Sequence, residues 1–193
     1  METTLSKRRN IGPYVILTGD ALIDHKKRVK FFMTFFFNIG QIFLIGFRNW
    51  KKKLSAVQIL NLALKENYIL VSGMAPRFKI DYHKLLLSTG NLPIPLNTSV
   101  RYLKKNMLRI KWECELTNAE PSGLMVYVLQ YNATKQVGLI FHGQRPTDTK
   151  LFYRLNCEDE YGDELQYWMF FVSLDGKEKS NSVYVGQVMP MNN

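Results

Sequence analysis

The sequence predicts an α+β protein: an N-terminal helical hairpin with short strands, followed by an antiparallel β-sandwich. Three observations lead there. The stretch 31–47, FFMTFFFNIGQIFLIGF, carries its polar side chains at helical spacing. Pro93 and Pro95 then interrupt the chain in GNLPIPLN, favouring an extended linker. Beyond residue 97, short apolar runs recur at regular intervals with Gly, Pro, Asn and Asp between them. The expected division is a basic helical module over 1–96 and a β-sandwich domain over 97–193.

Taken in order, residues 1–12 are polar and basic, with Lys7, Arg8 and Arg9 clustered. A solvated arm is the plain reading, and a nucleic-acid contact the sharper one. Pro13 to Leu17 reads as a short edge strand, and Gly19-Asp20 as a turn. A helix is expected from Ala21, capped by Asp20 or Asp24. Within 31–47 the polar residues Thr34, Asn38 and Gln41 stand four and three apart, so they share one helix face. Lys27, Lys30 and Arg48 extend that stripe. The result is one helix with a narrow polar stripe and a wide apolar surface.

Such a surface belongs in a membrane, in a core or against a partner. A membrane span wants about 20 apolar residues, and this run is shorter and diluted by Thr34, Asn38, Gln41 and two glycines. The expectation is a buried or partner-packed helix, with Phe31, Phe32, Phe35, Phe36, Phe43 and Phe47 as partner-interface candidates. Lys51, Lys52 and Lys53 lead to a second helix, for which Ser55 is a good N-cap and Val57, Ile59, Leu60, Leu62, Ala63 and Leu64 supply the apolar face. Ser72-Gly73 and Ala75-Pro76 end that unit. Residues 77–87 read as one or two short strands.

The second half offers seven strand candidates: 100–103, 108–116, 124–131, 137–141, 150–155, 165–174 and 182–189. Leu108, Ile110 and Trp112 alternate with Arg109, Lys111 and Glu113, so one face of that strand is wet. Asp175-Gly176 between apolar runs is a hairpin turn signal. Ser180-Asn181-Ser182 breaks and resets the last strand. A fibronectin type III-like or immunoglobulin-like topology fits this pattern.

Charge divides the chain in the same way. Residues 1–96 hold 15 Lys and Arg against 5 Asp and Glu, whereas 97–193 hold 11 of each. An anionic partner for the first half follows as a hypothesis, with Lys7, Arg8, Arg9, Arg48, Lys51, Lys52 and Lys53 as anion or nucleic-acid candidates. Cys114 and Cys157 make neither a disulfide framework nor a zinc set, and are read as reduced. His25, His83 and His142 lack metal-ligand spacing, so no cofactor or metal is expected. The acidic run 158–164, EDEYGDE, misses calcium-loop spacing and is read as a solvated loop. Nucleophile elbows, phosphate loops and dinucleotide fingerprints are absent from the sequence. The start of the chain has no secretory signal pattern, which points to a cytoplasmic protein or one carried in a virion.

A run of motifs adds a resemblance: R-V-K-F at 28–31, I-G-F at 45–47, F-K-I-D-Y at 78–82, L-L-L-S-T-G-N-L-P at 85–93, I-K-W at 110–112 and F-V-S-L-D-G-K-E-K-S-N-S-V-Y-V-G at 171–186. Over Arg28 to Met189 the chain resembles an uncharacterised family of Bacteroidota and their phages, domain of unknown function 6266. The resemblance implies a helical front half, a β-sandwich back half and a bacterial or phage setting. It supplies no catalytic residues. Residues 1–27 depart from the family's usual Gly-rich opening, so nothing is carried over to them. The expected function is a non-enzymatic structural or assembly protein, with protein subunits as partners and homo- or hetero-oligomerisation. Nucleic-acid association through the basic half is the alternative.

Overall fold

The computed structural model describes residues 19–49, 51–103, 107–115, 123–155 and 162–190. Readings placed on 1–18, Lys104, Lys105, Cys157 and 158–161 lie outside them. Among the described residues there are three α-helices and nine strands.

The apolar stretch is not the single helix its periodicity predicts. Helix α1 spans Gly19–Asn38 and α2 spans Gly40–Gly46, with a 76° bend between them. Asn38 and Gly40 are weak helix formers, and Ile39 between them has φ −120 and ψ 16, outside the helical region. Length gives the bend its use. A straight helix of these residues would run about 42 Å at 1.5 Å each, whereas a nine-residue strand spans about 30 Å. After the bend, α2 still packs Ile42 and Phe43 into the core shared with the sheet. The polar stripe stands as read, with Thr34, Asn38 and Gln41 all exposed. Gly19 and Asp20 open α1 instead of forming a turn, and neither Asp20 nor Asp24 is the residue before the helix that would cap it. Asp24 pairs with Arg28 at 3.3 Å, while Arg28 also donates to Val71 O and Gly73 O.

Helix α3, Ala56–Asn67, opens with a capping box: Ser55 Oγ accepts from Gln58 N, and Gln58 Oε1 accepts from Ser55 N at 2.8 Å. It ends on Asn67, whose buried amide is satisfied by Ala63 O, Leu86 O and Leu86 N. Residues 77–87 form less strand than expected. A two-residue strand, β2 (Lys79–Ile80), pairs with β1 (Val71–Ser72), and Tyr82–Lys84 is a 3₁₀ turn.

The sandwich follows the sequence reading closely. Strands β3 (Leu96–Leu103), β4 (Met107–Glu113) and β7 (Lys150–Arg154) make one antiparallel sheet in the order β3-β4-β7. Strands β5 (Leu124–Asn132), β6 (Val137–His142), β8 (Leu165–Ser173) and β9 (Val183–Val188) make the other, ordered β6-β5-β8-β9. The chain crosses between the sheets after β4, β6 and β7, a fibronectin type III-like arrangement. On β4, Leu108, Ile110 and Trp112 are buried while Lys111 and Glu113 are exposed. Trp112 Nε1 donates to Pro146 O at 2.7 Å.

The two halves share a core. All nine residues of β8 are buried, because both faces of its sheet are covered. Tyr167, Met169 and Phe171, with Val126 of β5, face Leu108, Ile110 and Trp112 of the three-stranded sheet. Trp168, Phe170 and Val172 face the helices with Phe32, Phe35, Phe36, Ile42 and Phe43. Residue 96 therefore marks where the sandwich strands begin, while the helical layer has no core of its own. The architecture is three layers: helices, four-stranded sheet, three-stranded sheet.

Candidate functional site

Three of the sequence motifs meet at one end of these layers. The C-terminus of α2 supplies Gly46, whose carbonyl accepts from Thr89 N at 3.2 Å and Ser88 Oγ at 3.3 Å. A Cβ at Gly46 would fall onto Leu87 O, so only glycine permits this approach. The 85–93 segment is pinned in turn to the β8–β9 connection. Ser88 Oγ donates to Ser180 O at 2.8 Å, Leu87 N to Ser182 Oγ at 2.8 Å, Gly90 N to Asn181 Oδ1 at 3.0 Å and Leu92 N to Lys179 O at 2.9 Å. Ser180 Oγ accepts from Phe171 N at 2.9 Å. The serine–asparagine–serine run thus interrupts the β8–β9 ladder and spends its polar groups on the helical layer's anchor segment.

The connection itself is rigid. Gly176 takes φ 72, as its turn requires. Ser173 N donates to Glu178 O, and Asp175 accepts from Ser173 Oγ at 2.7 Å, from Lys177 N at 3.0 Å and from the Lys177 ammonium. These bonds to its charged form hold the Asp175 carboxyl well below the usual carboxylate range.

A cleft of about 850 Å³ opens between this turn and the α2–α3 loop. Arg48, Lys51, Lys52, Lys177 and Lys179 line it, against the carboxylates Glu66, Asp175 and Glu178, and Leu54, Leu62, Leu92 and Leu174 form apolar wall. Lys179 is the unusual member. It is 5% exposed, yet it lines the cleft. Its ammonium donates to the Arg48 carbonyl oxygen, and no described carboxylate forms an ion pair with it. Burial first, and the neighbouring Arg48 charge second, push its pKa below the ordinary lysine value.

The model of a family of unknown function, DUF6266, matches residues 18–186. The chain belongs to that family. Among proteins of curated function none matches it. Among solved structures it is similar to one described as a myokine structure (16% identity, 53% of this chain and 98% of that one, TM-score 0.38). It is also similar to a cytokine receptor complex (9% identity, 63% and 62%, TM-score 0.40) and to the fn3 domain of human collagen alpha-1(XX) chain (14% identity, 55% and 93%, TM-score 0.36).

In this DUF6266 chain the sequence-derived candidates separate into two groups. Phe32, Phe35, Phe36, Phe43 and Phe47 are 0–6% exposed within the single chain. The partner-interface role expected of them is corrected: their own sheet covers them, and buried side chains have no area left to offer. Phe31 is half-buried against Phe78, with ring centroids 5.6 Å apart. Phe37, beside the polar stripe, is 66% exposed. Arg48, Lys51 and Lys52 do come together on the cleft, and Lys53 is exposed on the same loop. Lys7, Arg8 and Arg9 lie outside the described residues.

Sequence reasoning missed Lys179. In D-G-K-E-K-S it reads as one more solvated turn lysine, and only tertiary packing buries it. Its position inside the motif ending at Gly186 was the available signal. Among the described residues no group of three His, Cys, Asp or Glu side chains is placed to hold a metal ion. No described helix alone is long and apolar enough to cross a membrane; α1 and α2 pass that test only as a pair bent by 76°.

Proposed function

We propose that the chain is a non-enzymatic assembly module that holds partner protein subunits, as a component of a phage particle or another bacterial assembly, in the virion or the bacterial cytoplasm. The observation that carries this reading is the make-up of the cleft. Cationic and aliphatic side chains stand on a framework stiffened by backbone pins, which suits holding a partner. The acidic group best placed to do chemistry there, Asp175, is committed to Ser173 and Lys177. Partner binding no longer needs the Phe-rich helix, which serves as the module's own core.

Density-gradient fractionation of native lysate tests the reading. An assembly component migrates with a large particle. A chain that stays at its 22.5 kDa monomer position at all protein concentrations overturns it.

One observation favours a second reading, nucleic-acid association: Arg48, Lys51, Lys52 and Lys53 form a basic rim on one loop. Phosphate contacts would make DNA binding collapse between low and moderate salt. Binding that is absent, or insensitive to salt, removes this alternative.

A further inference from the structure

A lysine that is 5% exposed, with one carbonyl as its ammonium's hydrogen-bond partner, is costly to hold. Lysine has three N–H donors, so the carbonyl leaves capacity for further acceptors. Among the described lining residues, Arg48, Lys51, Lys52, Lys177 and Lys179 outnumber the carboxylates Glu66, Asp175 and Glu178, and Asp175 is already paired with Lys177, so positive charge is in excess at a cleft whose volume lies in the range of about 300–1,000 Å³ typical of ligand sites.

The walls narrow the class of ligand. Leu54, Leu62 and Leu174 line the same cleft, and Leu62 and Leu174 are 43% and 62% exposed. A bare phosphate has no use for an aliphatic wall. A nucleic acid strand would want aromatic platforms for its bases. The aromatic among the described lining residues is Phe47, which is 6% exposed and belongs to the core. Side chains that combine carboxylates with aliphatic groups match both features at once.

We infer that this cleft binds an acidic peptide segment of a partner protein, seating a carboxylate beside the Lys179 ammonium and aliphatic side chains against Leu62 and Leu174. The inference deepens the assembly reading and rests on it for the identity of the partner as a protein. Lys179 supplies the charge that orients the segment, Lys51 and Lys52 steer it in, and the leucines hold it.

Panning a random heptapeptide display library on the full chain tests this. Peptides rich in Asp or Glu together with Leu, Ile or Val are expected, and they should bind wild type. Lys179→Met should weaken the enriched peptides by about thirtyfold or more, the loss expected when one partner of a buried charge pair is removed. Its thermal transition serves as the folding control. Should Lys179→Met unfold, the double charge reversal Lys51→Glu with Lys52→Glu, on an exposed loop, gives the second measurement and should slow association. Enrichment of neutral or basic peptides, no enrichment, or equal binding by both variants overturns the proposal. A 12-nucleotide single strand that binds in a Lys179-dependent way while acidic peptides do not overturns it in favour of nucleic acid. The two readings fail separately. Peptide binding without particle co-migration removes the assembly role and keeps the site. Co-migration without peptide selection does the reverse.

Discussion

Both faces of β8, in the four-stranded sheet, are buried, by different means. One meets another sheet, where Leu108, Ile110 and Trp112 face Val126, Val128, Met169 and Phe171. The other meets helices, where the phenylalanines of α1 and α2 face Leu129, Tyr131, Trp168 and Phe170. The first face is closed by strands alternating in and out, with connections that cross between the sheets after β4, β6 and β7. The second is closed by a bent helix whose position is held by polar pins at its margin: Gly46, Ser88, Ser180, Ser182 and Lys179. The sandwich face thus builds a fold, and the helical face builds the fold together with the cleft. Burial is non-directional and roughly proportional to area, so the helices need those pins to select one placement over others.

The strongest way to break this comparison is to strip the helical face. Phe36 is 1% exposed and stacks on Phe43 with centroids 4.3 Å apart. Phe36→Asp should cost about 4 kcal/mol or more by burying a charge and losing the ring. Thr34→Asp, one face away and exposed, should stay within about 0.5 kcal/mol. Denaturant titration of both variants checks this, and equal effects would refute the face assignment. Because β8 serves both cores, Trp112 and Trp168 should report one coincident transition. Two separate transitions would show that the layers fold independently.

Next in size is the pin. Gly46→Ala drives a methyl onto Leu87 O and should cost about 2–3 kcal/mol. A loss of that size measured by chemical denaturation, with the sandwich strands retained by hydrogen exchange, would place the damage at the helix–sheet junction. A neutral outcome would mean the junction yields easily.

Alkaline pH sharpens the contrast between the faces. Burial pushes the Tyr82 hydroxyl up to about 12, and burial also raises that of Tyr131 beside it, the Tyr82 charge adding to the effect. Both belong to the helix-facing core. In the unfolded chain they release protons near pH 10. Their contribution is therefore fully present below pH 10 and is lost as pH rises from there toward about 12. Stability measured across that window should fall, and Tyr82→Phe should flatten the fall. An unchanged slope in the variant would remove Tyr82 from the cause.

The smallest effect tests local against tertiary control. Ser55→Ala removes one half of the α3 capping box and should cost about 1 kcal/mol by thermal melt. A much larger loss would mean the α2–α3 loop depends on that cap.

Much of this was legible beforehand, and the exceptions share a cause. All seven sandwich strands were readable, because alternation and turn chemistry are local. The Ser55 cap and the Thr34, Asn38, Gln41 stripe were readable for the same reason. The break at Ile39 was not, since apolar periodicity continues through it and weak helix formers such as Asn38 and Gly40 are tolerated in many continuous helices. Residues 77–87 looked like strands, but only Lys79 and Ile80 pair in a ladder, while Leu86 and Leu87 are held by Asn67 and Ser182 from distant positions. The Arg48, Lys51 and Lys52 part of the candidate site was visible as a basic cluster. Lys179 was hidden, because nothing local separates a turn lysine in water from one under a cleft wall.

By itself, then, the sequence determined the seven sandwich strands and the α3 cap, where the positive charge lies, and that 31–47 must leave water. Tertiary structure alone decided what covers that stretch, that β8 has two dry faces, and that a lysine of the β8–β9 turn lies buried beside Arg48. The physical reason is that hydrophobicity specifies burial but not the neighbour. Periodicity is read along the chain, while the choice of neighbour depends on shape, length and hydrogen-bond partners contributed from far away in it.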